Sequence, residues 1–229
     1  MDDQAPPPSH YEEIIVRSAP HETPSQMKEH VYELMSQLHG WCSNEKAGFL
    51  IDLVLKVKPK VIVEIGVWGG KSLIPMAYAL RENNEGIIYG IDPWESKEST
   101  EWVMEEVNRA FWEGANHHWV LEHLLGKIDQ YGLVNQVRLF KSTSEAAPPI
   151  PEIDILHIDG NHSEHTSYID VTKWTPFVKP GGWIIFDDMK WFEKGVFTTS
   201  KATHWLDEHC NKFAEITDAN CSWGIWTKL

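Results

Sequence analysis

The stretch VEIGVWGGKS, residues 63–72, is the strongest indication of the fold, because it closes a short apolar run with three glycines and leads into a helical pattern. The run itself, KVIVEIG at residues 60–66, is rich in β-branched residues and is typical of a buried parallel strand. Glycines allow a tight turn and the close approach of a ligand, and the start of the following helix offers free N–H groups. The stretch predicts a strand–turn–helix unit that binds a nucleotide-like ligand, although a plain strand-to-helix turn has the same pattern.

One position in this loop limits the choice of ligand. A dinucleotide-binding fingerprint has its glycines in the order G-x-G-x-x-G, and Glu64 occupies the first of those positions here. Because a carboxylate repels a pyrophosphate, the loop disfavours NAD and favours a ligand with a cationic amino-acid part. The next strand pattern ends in YGIDPW, where Asp92 can accept hydrogen bonds from both hydroxyls of a ribose, although Asp-Pro is also a common turn.

Outward from this loop, strand and helix patterns alternate along the chain. Strand patterns at KVIVEIG, GIIYGID, QVRLFKS, IDILHID and GWIIFDD are separated by other segments, mostly helical, and KFAEITDANCSWGIWTKL predicts a final hairpin. This alternation predicts an α/β fold, a Rossmann-like doubly wound, mostly parallel seven-stranded sheet with a C-terminal antiparallel hairpin. Residues 1–24 are Pro-rich and acidic, which predicts a mobile arm. We expect residues 25–229 to form one domain, with N-terminal helices at 25–58 and a helical insertion at 97–133.

The composition and charge of the chain limit the classes of partner that it can bind. The chain has 229 residues and a formal charge of −14, from 34 acidic and 20 basic residues. This charge repels phosphate backbones and anionic headgroups, so we expect no nucleic-acid partner and no membrane partner. The N-terminal residues lack a basic segment followed by an apolar one, which predicts a cytoplasmic protein. The three cysteines, Cys42, Cys210 and Cys221, are too few and too widely spaced to indicate a disulfide framework or a zinc site.

Acidic residues follow two further strand patterns. WIIFDDM, residues 183–189, runs four apolar residues into Asp187 and Asp188, and LHIDGNHSEH, residues 156–165, contains Asp159. Adjacent parallel strands bring their carboxyl ends together, and three gathered carboxylates repel one another unless a cation neutralises them. An all-oxygen set of ligands favours Mg²⁺, with Ca²⁺ or Mn²⁺ as replacements. The alternative is that Asp187 and Asp188 begin an ordinary loop that faces water.

These motifs carry a family resemblance that covers about residues 45–229. VEIGVWGGKS followed by IDPW resembles the first two motifs of class I S-adenosylmethionine-dependent methyltransferases, and the closing hairpin matches the reversed last strand of that fold. The resemblance implies a glycine loop along the methionine part of the cofactor, an acid on the ribose and a third strand that ends near the adenine. The implied cofactor-binding residues are Glu64, Gly66, Trp68, Gly69, Gly70, Ser72, Asp92, Trp94, Ser142, Thr143, Ser144 and Asp159.

The pair IDGNH and FDDM resembles the metal-binding motifs of metal-dependent small-molecule O-methyltransferases, especially those acting on antibiotic sugars, and of cephalosporin-pathway relatives. The resemblance implies Asp159, Asp187 and Asp188 as Mg²⁺ ligands, whereas catechol-type relatives usually have asparagine at the position of Asp188. It also implies His162 and Asp159 as catalytic residues. A metal lowers the pKa of a bound hydroxyl, and a histidine can take its proton. The predicted function is therefore metal-assisted methyl transfer from S-adenosylmethionine to a hydroxyl of a small molecule.

Two other functions use the same residues. A binding protein that keeps the cofactor fold without catalysis would carry the same motifs. His157-x-Asp159 with a distant histidine is typical of Fe(II) oxygenases. Those enzymes have a β-rich fold, however, and a histidine inside an apolar strand is more often a core residue than a ligand.

The acceptor is expected to lie beneath the N-terminal helices, the insertion and the loop after Met189. Tryptophans in or near these segments can line its pocket or simply pack, and they are Trp94, Trp102, Trp112, Trp119 and Trp191. The helical pattern QMKEHVYELMSQL, residues 26–38, has an apolar face. That face permits a homodimer, or it covers the core of its own chain.

Overall fold

The computed structural model of the protein describes residues 23–100, 104–217 and 222–229. Its first helix begins at Pro24, and the Thr23 side chain accepts a hydrogen bond from Gln26 N in a capping box. Pro24 is therefore the first residue of a helix, with Thr23 as its N-cap, rather than the last residue of the predicted arm. The rest of that arm, residues 1–22, lies outside the described residues.

Apart from two short strands at Phe192–Glu193 and Val196–Phe197, the elements follow the order that the sequence patterns predict. The helices are α1 Pro24–Met35, α2 Asn44–Val57, α3 Leu73–Glu82, α4 Ser96–Thr100, α5 Glu106–Gly114, α6 His117–Gln130, α7 Glu164–Trp174 and α8 Ser200–His209. The strands are β1 Val61–Ile65, β2 Ile87–Asp92, β3 Val137–Lys141, β4 Ile153–Ile158, β5 Val178–Phe186, β6 Phe192–Glu193, β7 Val196–Phe197, β8 Cys210–Thr217 and β9 Ser222–Lys228.

The main sheet has seven strands in the order β3-β2-β1-β4-β5-β9-β8. Strands β1 to β5 are parallel, and β9 is antiparallel to both β5 and β8. The predicted doubly wound sheet with a terminal hairpin is therefore confirmed. The strand order reverses between β1 and β4, and in open α/β sheets ligands bind at the carboxyl ends of the strands at such a point.

Helices cover both faces of this sheet. On one face α1, α2 and α3 pack over a core that contains Ile62 and Ile155, and on the other face α7 and α8 pack over Val63 and Leu156. These four side chains are fully buried, and each contributes about 1.5–3 kcal/mol of transfer free energy. Successive residues of β1 and β4 thus point into the two cores on opposite faces of the sheet, as expected for strands that are buried on both sides.

The apolar face of α1 is used within the chain. Met27, Val31, Leu34 and Met35 are buried in the core that α1 shares with α2 and α3. The helix therefore covers its own core, and the homodimer stays a prediction. Among the helices of the described ranges, none combines the length and the apolar character that crossing a membrane requires.

The predicted helical insertion is divided into three helices. The α5 and α6 helices are separated at the expected Gly114 break, and Asn116 caps α6 by accepting a hydrogen bond from Trp119 N at 3.0 Å. Residues 101–103, including Trp102, lie outside the described residues. The sequence patterns did not predict the short β6–β7 hairpin, which follows the acids at the end of β5.

Candidate active site

The glycine loop after β1 packs against the chain itself. Gly66 has a φ of +82°, and a Cβ atom there would lie 2.0 Å from the carbonyl oxygen of Asp159. At Gly69, a Cβ atom would lie 2.3 Å from the carbonyl oxygen of His39. Backbone cannot yield as a flexible side chain can, so glycine is required at both positions. Because they lack side chains, these glycines let the end of β4 and the segment before α2 pack closely on the loop. Any space that remains beside them is available to a ligand.

Asp92, at the end of β2, holds this loop in place. Its Oδ2 atom accepts hydrogen bonds from Val67 N at 3.1 Å and Trp68 N at 2.9 Å, and its Oδ1 atom accepts from Trp94 N at 2.7 Å. Burial raises the pKa of Asp92, and the three N–H donors partly offset that effect. The carboxylate predicted to hold a ribose therefore also fixes the loop beside it.

The predicted cofactor residues divide into two groups by exposure. The half-buried group lies along the carboxyl edge of the sheet, and its members are Gly66, Trp68, Asp92, Ser142, Thr143 and Asp159. The ends of β2 and β3 meet there, because Ser142 N donates a hydrogen bond to the carbonyl oxygen of Asp92 at 3.0 Å. The buried group consists of Glu64, Gly69, Gly70, Ser72, Trp94 and Ser144. The half-buried group is the one that a ligand can reach without rearrangement of the chain.

Trp94 and Ser144, from the buried group, bond to other groups of the chain. Trp94 is 2% exposed, and its Nε1 atom donates a hydrogen bond to the carbonyl oxygen of Trp68 at 2.9 Å. Ser144 is hydrogen-bonded to Asp170, a carboxyl group whose pKa is raised by burial to about 7. Trp94 therefore packs beneath the loop, as the alternative interpretation of the tryptophans expected, and Ser144 faces α7.

Glu64 is fully buried beneath the glycine loop, between two polar neighbours. Its Oε1 atom is hydrogen-bonded to Ser72 Oγ at 2.5 Å and lies 3.4 Å from His157 Nδ1. Burial raises the pKa of Glu64 to about 8 and lowers the pKa of His157 to about 3, so His157 is neutral. The Glu64 side chain has no exposed surface. A cationic ligand group could therefore contact it only after the residues that cover Glu64 had moved.

We expect Glu64→Gln to change the pH dependence of the free energy of unfolding. Folded Glu64 keeps its proton up to about pH 8, whereas in the unfolded chain it loses the proton near 4.5. The folded state binds more protons between these values, so wild-type stability falls as the pH rises through this window. Glutamine cannot ionise, and the variant should therefore gain stability relative to the wild type as the pH increases.

Urea unfolding of both proteins at a series of pH values measures this gain. Other titrating groups cancel in the difference between the two proteins, provided that they remain unchanged. A stability difference that stays constant across the window would contradict the raised pKa of Glu64.

A lysine of α2 supplies the positive charge that the acids require. Lys46 is 2% exposed, and its Nζ atom donates a hydrogen bond to Asp187 Oδ2 and lies 3.6 Å from Asp159 Oδ2. Ser43 caps α2 by accepting a hydrogen bond from Lys46 N at 3.1 Å, which fixes the start of the helix at this edge of the sheet. Asp187 is buried and Asp159 is partly exposed, so the ammonium group links an inner acid with an outer one.

Asp188 has a different partner. Its Oδ2 atom is hydrogen-bonded to His162 Nε2, and the His162 ring packs on Trp191 with 4.4 Å between the ring centroids. Thr198 Oγ1 donates a hydrogen bond to the carbonyl oxygen of His162 at 2.5 Å. Burial alone lowers the pKa of His162, but the charge and hydrogen bond of Asp188 raise it above its ordinary value. Since a carboxylate can only accept a hydrogen bond, Nε2 is the nitrogen that carries the proton in this pair.

The three acids predicted to bind Mg²⁺ do not surround one point. In the part of the chain that the structure describes, two groups of side chains have ligand atoms close enough to share an ion. They are His157, Asp159 and Asp187, and Asp159, His162 and Asp188. The Lys46 ammonium contacts both acids of the first group, and His162 and Asp188 of the second group bond to each other. As arranged, the three-aspartate set does not fit a divalent ion.

The sequence identified the acids and His162 but missed Lys46. Lys46 lies 141 residues before Asp187 in the chain, and nothing in NEKAGFLIDL distinguishes it from a solvated helix residue. The sequence did show three acidic residues whose charge requires a cation nearby. It did not show whether that cation is a metal ion or a lysine.

Comparison with known proteins agrees with the fold and with the motifs. A family model described as a methyltransferase domain matches residues 63–189, more than half of the chain, including the glycine loop, Asp92 and the three aspartates. The chain belongs to this methyltransferase family. Its resemblance to class I S-adenosylmethionine-dependent methyltransferases, stated above from its motifs, is thereby confirmed.

Solved structures share the fold at low sequence identity. The O-methyltransferase TomG from Streptomyces achromogenes, involved in tomaymycin synthesis and solved with SAM (S-adenosylmethionine), has 15% identity and a TM-score of 0.59, over 94% of this chain and 92% of that chain. An O-methyltransferase from Bacillus cereus, solved with SAH (S-adenosylhomocysteine), has 13% identity and a TM-score of 0.61, over 94% of each chain. At these identities the two structures define the fold alone.

A curated relative matches in sequence. The uncharacterized protein y4gI of Sinorhizobium fredii is 29% identical over 147 residues, which covers 62% of this chain. The match covers 14% of that relative, so the chain spans about one seventh of its length.

Proposed function

We propose that the protein transfers the methyl group of S-adenosylmethionine to a hydroxyl group of a small molecule. The observation that carries this proposal is the half-buried His162–Asp188 pair at the carboxyl edge of a methyltransferase fold. Gly66 packs directly against the backbone of Asp159, at the start of the loop that carries His162. The proposed base and the glycine loop are therefore neighbours, which is the condition for direct transfer between two bound molecules.

The cofactor is proposed to bind along the half-buried residues of the sheet edge. S-adenosylmethionine supplies an electrophilic methyl group on a positively charged sulfur atom. Asp92 would accept a hydrogen bond from one ribose hydroxyl while keeping its bonds to the three N–H groups of the loop, since a carboxylate has about four acceptor positions. Ser142 and Thr143, next to Asp92, would meet the adenine. The SAM and SAH bound in the two structures of the same fold support this choice of cofactor.

His162 is proposed as the base. In neutral His162 with its proton on Nδ1, the Nε2 atom is an acceptor. An acceptor hydroxyl that displaces Asp188 from Nε2 gives its proton to that nitrogen. The carboxylate of Asp188 stabilises the resulting imidazolium, Trp191 packs on the ring, and Thr198 holds the backbone carbonyl of His162. The acceptor oxygen gains the methyl group as the carbon–sulfur bond breaks, and the products are a methyl ether and S-adenosylhomocysteine.

Magnesium assistance, which the sequence motifs imply, is not part of the proposed mechanism. Lys46 already neutralises Asp187 and Asp159, and Asp188 is engaged with His162. Deprotonation is therefore assigned to the histidine alone. The Fe(II) oxygenase alternative is not carried further, because it requires a β-rich fold and the observed sheet is doubly wound and covered by helices.

The acceptor is proposed to be a natural-product sugar or a similar hydroxylated ring. The surface beside His162 is aromatic, since Trp191 packs on the histidine, and Phe192 and Phe197 of the β6–β7 hairpin are 56% and 54% exposed. Flat apolar rings of this kind bind the faces of sugars and aromatic rings. The role of TomG in tomaymycin synthesis supports a small-molecule substrate for this fold.

The proposal is tested by incubating the protein with S-adenosylmethionine and a panel of hydroxylated sugars, phenols and macrolides. The expected result is release of S-adenosylhomocysteine that depends on the acceptor, together with the mass increase of one methyl group on that acceptor. Saturable binding of S-adenosylmethionine with no turnover across the panel would instead support a non-catalytic binding protein.

A further inference from the structure

Lys46 lies where the sequence motifs place a metal ion. Its Nζ atom contacts two of the three aspartates implied as ligands, Asp187 through a hydrogen bond and Asp159 at 3.6 Å. The ring of His157 closes the inner side of this cluster, with Nε2 at 3.6 Å from Asp187 Oδ2. Lys46, His157 and Asp187 are all buried, so water does not solvate the charges of Lys46 and Asp187.

Because Asp187 and Lys46 are buried, the acidic cluster can hold either the Lys46 ammonium group or a divalent ion, but not both. A buried ammonium or carboxylate is strongly destabilising unless it is paired, and Lys46 and Asp187 pair with each other. An ion bound to Asp187 and Asp159 would face the Lys46 ammonium across a few ångströms of protein interior, where like charges repel most strongly. The ion and Lys46 therefore compete for the same two acids.

We propose that the ammonium group of Lys46 is the resident cation of the acidic cluster and replaces the divalent ion at Asp159 and Asp187. Lys46 is a positioning residue: it holds Asp187 at the end of β5 and Asp159 at the start of the loop that carries His162. The consequence for turnover, independence from divalent metal, rests on the proposed methyl transfer. The consequence for metal binding does not depend on any reaction.

Metal titration into EDTA-treated and dialysed protein provides the direct test. For the wild type we expect no calorimetric binding of Mg²⁺ or Mn²⁺ at submillimolar concentration. Lys46→Ala opens the position and removes the opposing charge, and it should gain roughly tenfold or more in Mn²⁺ affinity. Lys46→Arg keeps a cation there and should bind no better than the wild type. Lys28→Ala, which removes a lysine paired with Asp52 on the surface, is the matched control and should also match the wild type.

The result that would overturn the proposal is micromolar binding of Mg²⁺ or Mn²⁺ by the wild type that is lost in Asp187→Asn or Asp188→Asn. Loss in Asp188→Asn alone would place the ion on the outer group of Asp159, His162 and Asp188. A Lys46→Ala variant that folds and gains no affinity would equally count against competition between the lysine and the ion.

Thermal unfolding keeps the proposal testable if Lys46→Ala does not fold. The Tm of the wild type should be unchanged by EDTA or by millimolar Mg²⁺, because a ligand that binds the folded state would raise it. Lys46→Met alone should lower Tm by roughly 10 °C, since it leaves Asp187 buried and unpaired. The double variant Lys46→Met/Asp187→Asn should recover much of that loss, and strictly additive losses would refute the pair.

Turnover separates this inference from the proposed function. Activity that is equal in EDTA and in Mg²⁺ is the expected result, and activity restored only by a divalent ion would overturn it. A wild type that transfers no methyl group and also binds no metal would count against the proposed function and leave the role of Lys46 supported.

Discussion

Replacing His162 by alanine is expected to lower kcat by about 100-fold or more, with the affinity for S-adenosylmethionine nearly unchanged. The variant loses the group that takes the proton of the acceptor, and His162 is not among the residues proposed to touch the cofactor. The loss should therefore appear in kcat rather than in cofactor binding. Steady-state kinetics with the acceptor identified by the screen, combined with calorimetric titration of the cofactor, measures both quantities.

His165→Ala is the matched control for this experiment. His165 is an exposed histidine in the first turn of α7, three residues after His162, and the proposal gives it no role in the reaction. Its substitution should leave kcat close to the wild-type value. A His162→Ala variant with wild-type kcat would eliminate the assigned base, whereas equal losses in the two variants would indicate a shared effect on folding.

Gly66→Ala is expected to destabilise the protein by about 3 kcal/mol or more and to abolish cofactor binding. The added Cβ atom would lie 2.0 Å from the carbonyl oxygen of Asp159 and 2.6 Å from Gly160 Cα, and the φ of +82° is strained for any side chain. Both contacts are with the backbone at the end of β4, so the loop and the strand end must separate. That separation would displace Asp159 and the adjoining loop that carries His162.

Gly126→Ala is the control for the glycine substitution. Gly126 is an exposed residue of α6, and a Cβ atom there would meet nothing within 4 Å. Since alanine is favoured over glycine inside helices, this variant should be more stable than the wild type by up to about 1 kcal/mol. Chemical denaturation of the three proteins provides the comparison, and a Gly66→Ala variant as stable as the wild type would show that the end of β4 does not pack closely on this loop.

Residues 60–66 illustrate why the fold could be predicted from the sequence. A short apolar run rich in β-branched residues is typical of a strand buried on both sides in a parallel sheet, and five strand patterns separated by longer segments leave few topologies. The terminal hairpin was predicted for a related reason, since no helix separates its two strands. The β6–β7 hairpin was missed because its two-residue strands are too short to show a period. Its first residue, Phe192, also forms an aromatic pair with the preceding Trp191, which gives no alternation.

The site was predicted less completely than the fold. Which side chains are exposed, and which of them bond to each other, depends on tertiary packing that no local sequence pattern shows. Glu64 and Ser144 occupy motif positions, yet both are buried against the protein's own side chains rather than at the accessible edge. The acids at 159, 187 and 188 were correctly expected to follow neighbouring strands, and the need for a cation follows from their charge. That the cation next to Asp187 is Lys46 depends on how α2 packs on the sheet, and no local pattern carries that information.

Calorimetric titration of S-adenosylmethionine into the EDTA-treated wild-type protein tests the cofactor site directly. We expect saturable binding in the micromolar range, competition by S-adenosylhomocysteine and no change on addition of Mg²⁺. Absence of binding in both EDTA and Mg²⁺ would contradict the assignment of the sheet edge at Gly66, Asp92 and Ser142 as a cofactor site. Binding that appears only with Mg²⁺ would contradict the assignment of Lys46 as the resident cation.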